Sequence, residues 1–152
     1  MMRNPEETIG NLIEKQGISF ISSVDEDGFP NTKAMLPPCK RDGINIFYWH
    51  TNSPSMRIKH YKNNQKACIY FYDKRFFRGV MLKGTMEVLD NKKTKKELWK
   101  DDYSKYYSGG MDGGDFIIIK FTADDGRYYS NFKSEDFKIE AFSKLQFLKK
   151  QP

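Results

Sequence analysis

The chain has 152 residues, 38% apolar and 15% aromatic, with a formal net charge of +6. That length and apolar content suit one domain around a single core and exclude a disordered chain, since twelve Phe and nine Tyr bury large areas when they pack. The positive charge does not by itself argue for nucleic acid: twenty of the twenty-six cations are Lys, scattered from Lys15 to Lys150, and the densest run, "NKKTKKELWKDDYSK", carries its own acids at helical spacing.

Asn4 before Pro5 and Glu6-Glu7 reads as a helix start, with an N-cap, a first-turn proline and acids at the positive end of the dipole. Ile9, Leu12 and Ile13 then share one face, and Gly17 ends the segment. "ISFISSV" and "NTKAMLP" read as strands joined through the turn signal in "DEDGFP", a hairpin. "KRDG" predicts a second turn. "INIFYWH" follows as a strand whose unbroken apolarity predicts burial on both sides.

In the next stretch, "HTNSPSMRIKHY", a strand hands over to a helix. Ser53 or Asn52 suits the N-cap, Pro54 the first turn, and Ile58 with Tyr61 the inward side. The backbone N–H groups of Ser55, Met56 and Arg57 would then lack helical partners and favour an anion. Thr51, Ser53 and Ser55 add hydroxyls, and Arg57 adds a fixed charge. Two readings stand at this point, an ordinary cap and a phosphate cradle. Lys33, placed on a strand expected beside "INIFYW", would be unusual facing inward without a ligand or partner.

"ACIYFYD" reads as a further buried strand and "FRGVMLKGTMEVL" as a long one, with Gly79 and Gly84 marking bulges or close approach. A helical pattern covers Asp90 to about Tyr107, "SGGMDGGD" breaks it, and "FIIIKFTA" and "GRYYSNF" read as two strands joined through Asp124, Asp125 and Gly126. The pattern is weakest over about 134–152. In sum, the expected fold is mainly β with peripheral helices (α+β): one domain over 1–152, a six- or seven-stranded antiparallel barrel.

Cys39, His50, His60 and Cys68 match no zinc spacing, so no metal is expected, and "SGGMDGGDF" precedes a strand where a dinucleotide fingerprint needs a helix. No run reaches the apolar length of a membrane span, and "MMRNPEETIGNLIEKQG" lacks the order of a signal peptide, so the cytoplasm is expected. Two cysteines in unlike contexts indicate no disulfide framework.

The order of these segments, "ISFISSVDEDGFPNTKAML", "NIFYWHTNSPSMRIKHYKNNQKACIYFYD" and "GVMLKGTMEVL", resembles the FMN-binding split barrels of the pyridoxamine 5'-phosphate oxidase-like family, in particular its general-stress-protein-like members, over residues 5 to 130. The resemblance implies a homodimer with FMN at the interface. It puts Lys33, Ser55 and Arg57 on the flavin phosphate, Ala34 and Met35 along the isoalloxazine ring, and His50 and Thr51 at the end of the third strand. Met56 stands where family oxidases often carry a second cation, and Arg78 and Gly79 fall near a further cofactor contact.

The resemblance also implies an oxidoreductase or reductase acting on a small-molecule substrate, or a flavin-binding stress or sensor protein without turnover. The substrate, the electron donor and the choice between FMN, another flavin and a deazaflavin stay open. Authentic pyridoxamine phosphate oxidases grip their substrate with a C-terminal Arg and His. This chain has no His after His60, which disfavours that activity. Arg127, Tyr128 and Tyr129 have two readings, a strand pair closing the barrel and a cover over the partner's flavin.

Overall fold

The computed structural model describes Met2 and residues 4–139. The elements follow in the order α1 (Pro5–Glu14), β1 (Ser19–Val24), β2 (Pro30–Met35), β3 (Lys40–Asp42), β4 (Ile46–Asn52), α2 (Met56–Asn63), β5 (Lys66–Asp73), β6 (Arg78–Leu89), α3 (Lys92–Leu98), a 3-10 turn (Asp101–Lys105), β7 (Phe116–Ser130) and β8 (Lys133–Lys138). All eight strands belong to one antiparallel sheet, ordered β2-β1-β5-β6-β7-β4-β3 with β8 also on β7. The helices are peripheral, so the fold is the expected split barrel with one strand more.

Local chemistry explains most elements. Asn4 caps α1 by accepting the Glu7 N–H, and Ile9, Leu12 and Ile13 bury its inner face. Glu6 reaches across to accept the Ile44 N–H, which ties the helix to the start of β4. The core they enter is dominated by Phe47, Trp49, Tyr61, Phe71 and Phe121, all nearly fully buried. Trp49 is held at its polar end as well, because its indole N–H reaches the Ser19 hydroxyl and the Leu36 carbonyl.

Four expectations change. "KRD" is the short strand β3, and the turn falls one step later at Gly43, whose φ of +57° is left-handed. Strand β4 is not evenly buried on both sides: Phe47, Trp49 and Thr51 are buried while Ile46, Tyr48 and His50 are half-buried. "FIIIKFTA" and "GRYYSNF" form the single strand β7, because the irregularity between them is absorbed by a bulge opposite Lys83 and Gly84 and the ladder continues. Strand β2 pairs with β1, not with β4, so Lys33 lies opposite Ile21 on an outer strand. Of the stretch 134–152, residues up to 138 complete β8, and those after 139 lie outside the described residues.

Two details of β5 and β6 generate predictions. A Cβ at Gly84 would stand 1.9 Å from the Thr122 carbonyl oxygen, so Gly84→Ala must push two paired strands apart. It should lower stability by about 1–3 kcal/mol, read from the urea midpoint. At the other end, the Asp73 carboxylate is buried and takes both Arg75 and Arg78. The Arg75 hydrogen bond, more than any other contact, holds its pKa below the ordinary value. A depressed carboxyl contributes stability above the unfolded pKa of about 3.9 and loses it as pH falls through the folded value. Asp73→Asn should therefore lower stability at neutral pH and flatten its decline below about pH 4, measured by denaturation across an acid series.

Candidate functional site

A cleft of about 520 Å³ opens beside the end of β4. One wall is Lys33, Ala34, Met35, Leu36 and Pro37, running off the end of β2. Its floor is Trp49, His50, Thr51 and Asn52 with Arg57 from α2, and the opposite wall is Lys105, Tyr106 and Tyr107. That volume falls in the range of pockets for cofactors and drug-sized ligands, roughly 300–1,000 Å³. Among the described residues, the lining holds three cations and no carboxylate.

The floor is built by the strand-to-helix junction. Ser55, not Ser53 or Asn52, is the N-cap of α2, which starts at Met56. Pro54 therefore precedes the helix, and Ser55 N–H donates to the Asn52 carbonyl. Ser53 turns the other way, its N–H and hydroxyl both bonding Asp115. The Ser55 side chain makes no capping bond, so its Oγ is buried with no hydrogen-bond partner. Arg57 reaches Thr51 Oγ1 at 3.1 Å through Nη2, yet its Nε is likewise buried and unpartnered. Burial holds the Arg57 guanidinium pKa below its ordinary value.

Unpaired buried polar atoms are costly and rare in folded proteins. Here two of them, a hydroxyl donor and a guanidinium N–H, sit together at the positive end of an eight-residue helix. This donor set fits an anion carrying several acceptor oxygens.

The junction thus brings together Lys33, Ala34, Met35, His50, Thr51 and Arg57 around the cleft, while Ser55, two residues before Arg57, is buried outside the lining. It does not bring in the others. The Met56 side chain is 69% exposed outside the lining. Arg78 is held by Asp73 at the start of β6, and Gly79 is packed against Tyr70; neither lines the cleft. Arg127 pairs with Asp136, Tyr128 is buried, and Tyr129 meets Phe77 edge-on. None of these three lines the cleft.

Sequence reasoning missed the third wall. Lys105, Tyr106 and Tyr107 come from the excursion between β6 and β7, which folds over the outer side of β4. Tyr103, Tyr107, Leu98, Phe116 and Ile118 form a second core there, backed by Cys39, Tyr48 and Trp99. His50 is drawn into it: its ring lies 4.2 Å from Tyr103 and 6.0 Å from Tyr106, and its Nδ1 is 2.7 Å from the Tyr107 hydroxyl. Burial first, then the charge of Lys100, lowers the His50 pKa, while burial pushes the Tyr107 phenol up to about 12. Cys39, behind this cluster, donates to the Tyr48 carbonyl, and burial pushes its thiol up to about 11. The aromatic run "DYSKYY" was the available signal, but some fifty positions separate it from His50, so spacing alone could not join them.

The sequence profile of a family described as pyridoxamine 5'-phosphate oxidase matches residues 5–130. A Clostridium acetobutylicum protein related to general stress protein 26 of B. subtilis, of the pyridoxinephosphate oxidase family, is 37% identical. It aligns over 93% of this chain and 99% of its own, with a TM-score of 0.83. General stress protein 26 from Bacillus anthracis is 19% identical over 88% of this chain and 98% of its own, with a TM-score of 0.71. A heme binding protein from Mycobacterium smegmatis, 14% identical, shares the fold with a TM-score of 0.74 over 95% of this chain and 62% of its own. The sequence matches none of the curated proteins. The profile match over most of the chain, together with the general-stress-type relative, shows that this protein belongs to the pyridoxamine 5'-phosphate oxidase family.

Proposed function

We propose that the chain is an FMN-binding flavoprotein, a homodimer that acts as an FMN-dependent oxidoreductase on a small-molecule substrate. The observation that carries this reading is the pair of unpartnered buried donors, Ser55 Oγ and Arg57 Nε, beside Thr51. A terminal phosphate supplies the acceptors that both atoms lack, and the bare N–H groups at the start of α2 add to its hold. Lys33, on the facing wall, adds a second cation. Ala34 and Met35 offer the flat apolar strip that an isoalloxazine ring needs, with His50 and Thr51 across from it. FMN, once bound, supplies the electron or hydride chemistry, and the chain's own residues bind and orient it.

The side chain of Met56 takes no part in this arrangement, although its backbone N–H belongs to the helix start. Arg78 and Gly79, outside the cleft of their own protomer, act in this reading on the partner's cofactor. Support for a dimer comes from β2, an edge strand whose end leads into the 54% exposed Leu36 beside the cleft, with Ile18 56% exposed at the foot of the neighbouring strand. Exposed apolar groups beside a cofactor cleft are what a second subunit would cover. No described helix is long and apolar enough to cross a membrane, and the cytoplasm is the proposed location.

The freshly purified protein should show flavin absorbance in the near ultraviolet and blue, or acquire it with added FMN. Absence of both overturns the reading, and a Soret band in their place assigns the cleft to heme. Arg57→Ala should weaken FMN binding by about 10- to 100-fold, because a charge-assisted contact is lost. Unchanged affinity would reduce the junction to a helix cap. Turnover with a reduced nicotinamide and an electron acceptor separates an enzyme from a flavin-binding stress or sensor protein. In sedimentation the mass should be twice the 17.9 kDa of one chain, and a monomer at micromolar concentration would refute the shared interface.

A further inference from the structure

The wall formed by Lys105, Tyr106 and Tyr107 is not used by the phosphate, and its chemistry is specific. Tyr106 is 53% exposed at the cleft, with the Lys105 ammonium 5.0 Å from its ring centre. His50 lies beside it in a stacked orientation, at an interplanar angle of 30°. Together they present an aromatic shelf to the cleft.

The shelf also carries a proton at a defined atom. The Tyr107 hydroxyl has one proton, and its hydrogen bond among the described residues is to His50 Nδ1. Tyr107 is buried, and either ring tautomer closes this bond; with the phenol as donor, Nδ1 accepts and the imidazole proton stands on Nε2. Burial first, then the charge of Lys100, lowers the His50 pKa and so favours the neutral ring. In that tautomer Nε2–H has no hydrogen-bond partner among the described residues, and His50 lines the cleft.

We propose that this wall is a subsite for a planar acceptor of the quinone class, whose ring stacks on Tyr106 and whose conjugated carbonyl oxygen accepts a hydrogen bond from His50 Nε2–H. The charge pattern selects in the same direction. Among the described residues three cations and no carboxylate line the cleft, which disfavours amines and favours oxygen-terminated, electron-accepting ligands on which negative charge builds. Tyr107 is a positioning residue, since it acts through the tautomer of His50. The inference rests on the flavoprotein reading for its source of electrons, but the subsite consists of this chain's own residues and is tested by binding alone.

The probes are a naphthoquinone sulfonate substituted at both quinone carbons, which blocks thiol addition, and the matching naphthalene sulfonate, equal in ring and charge but without the carbonyls. Binding to the protein, with and without added FMN, is followed by quenching of intrinsic fluorescence. The wild type should prefer the quinone by about tenfold, the worth of one good hydrogen bond. Tyr107→Phe, which removes only the hydroxyl, should reduce that preference to within about threefold, while Tyr106→Ala should weaken both probes. Nitrogen NMR of His50 should report the Nε2–H tautomer in the wild type and a mixture in Tyr107→Phe. Equal binding of the two probes, a preference that survives Tyr107→Phe, or an Nδ1–H tautomer in the wild type each overturns the proposal. FMN affinity, measured in parallel, distinguishes its failure from that of the cofactor reading.

Discussion

The ladder between β6 and β7 is the constraint on which the rest of the molecule depends. It runs from Gly79–Tyr129 to Leu89–Ile118, and the other edge of β7 carries β4 over one half and β8 over the other. One strand therefore sets the register of three neighbours. Where the ladder shifts, Gly84 lets the backbones approach to a distance no side chain would permit. At the start of β7, β4 finishes with Asn52 opposite Phe116, and there Thr51 and Asn52 hand the chain over to α2.

That handover explains why polar groups without partners collect in one place. Inside the barrel, buried polar groups find each other: Ser23 meets His60 Nδ1 at 2.8 Å, and the Tyr61 hydroxyl donates to the Ser22 carbonyl. At the strand-to-helix junction, Ser55 Oγ and Arg57 Nε are buried without a hydrogen-bond partner, although Arg57 Nη2 donates to Thr51. A fold that satisfies its interior and leaves two donors unmet at an opening concentrates its binding chemistry there. The excursion over 92–115 adds the aromatic wall opposite, so the cleft combines a charged end with a flat, apolar-to-aromatic body.

Much of the fold was legible because local signals agreed with the global arrangement. Asn4 and Pro5 marked α1, Asp27 and Gly28 marked the first hairpin, and the alternation of β6 survived its bulge. The misreadings share a cause, which is that periodicity reports a face but not a neighbour. The turn signal paired the Lys33 strand with β1, as the structure has it, but could not show that this strand lies at the sheet's edge, outside the β4 ladder. The break at Asp124 to Gly126 looked like a turn, yet with β6 pairing on both sides a bulge was enough. Of the candidate site, residue types alone left the "TNSPSMR" junction open between a cap and a cradle, and the family resemblance was what put Lys33 and Arg57 on the phosphate. Tyr106 and Tyr107 could not be read at all, since only the folded second core brings them to His50.

The second core has another effect, on sulfur. With its thiol pushed up to about 11 by burial, Cys39 is held in the protonated form at neutral pH. Since the thiolate is the form that attacks disulfides and peroxides, packing against the second core keeps this sulfur chemically quiet.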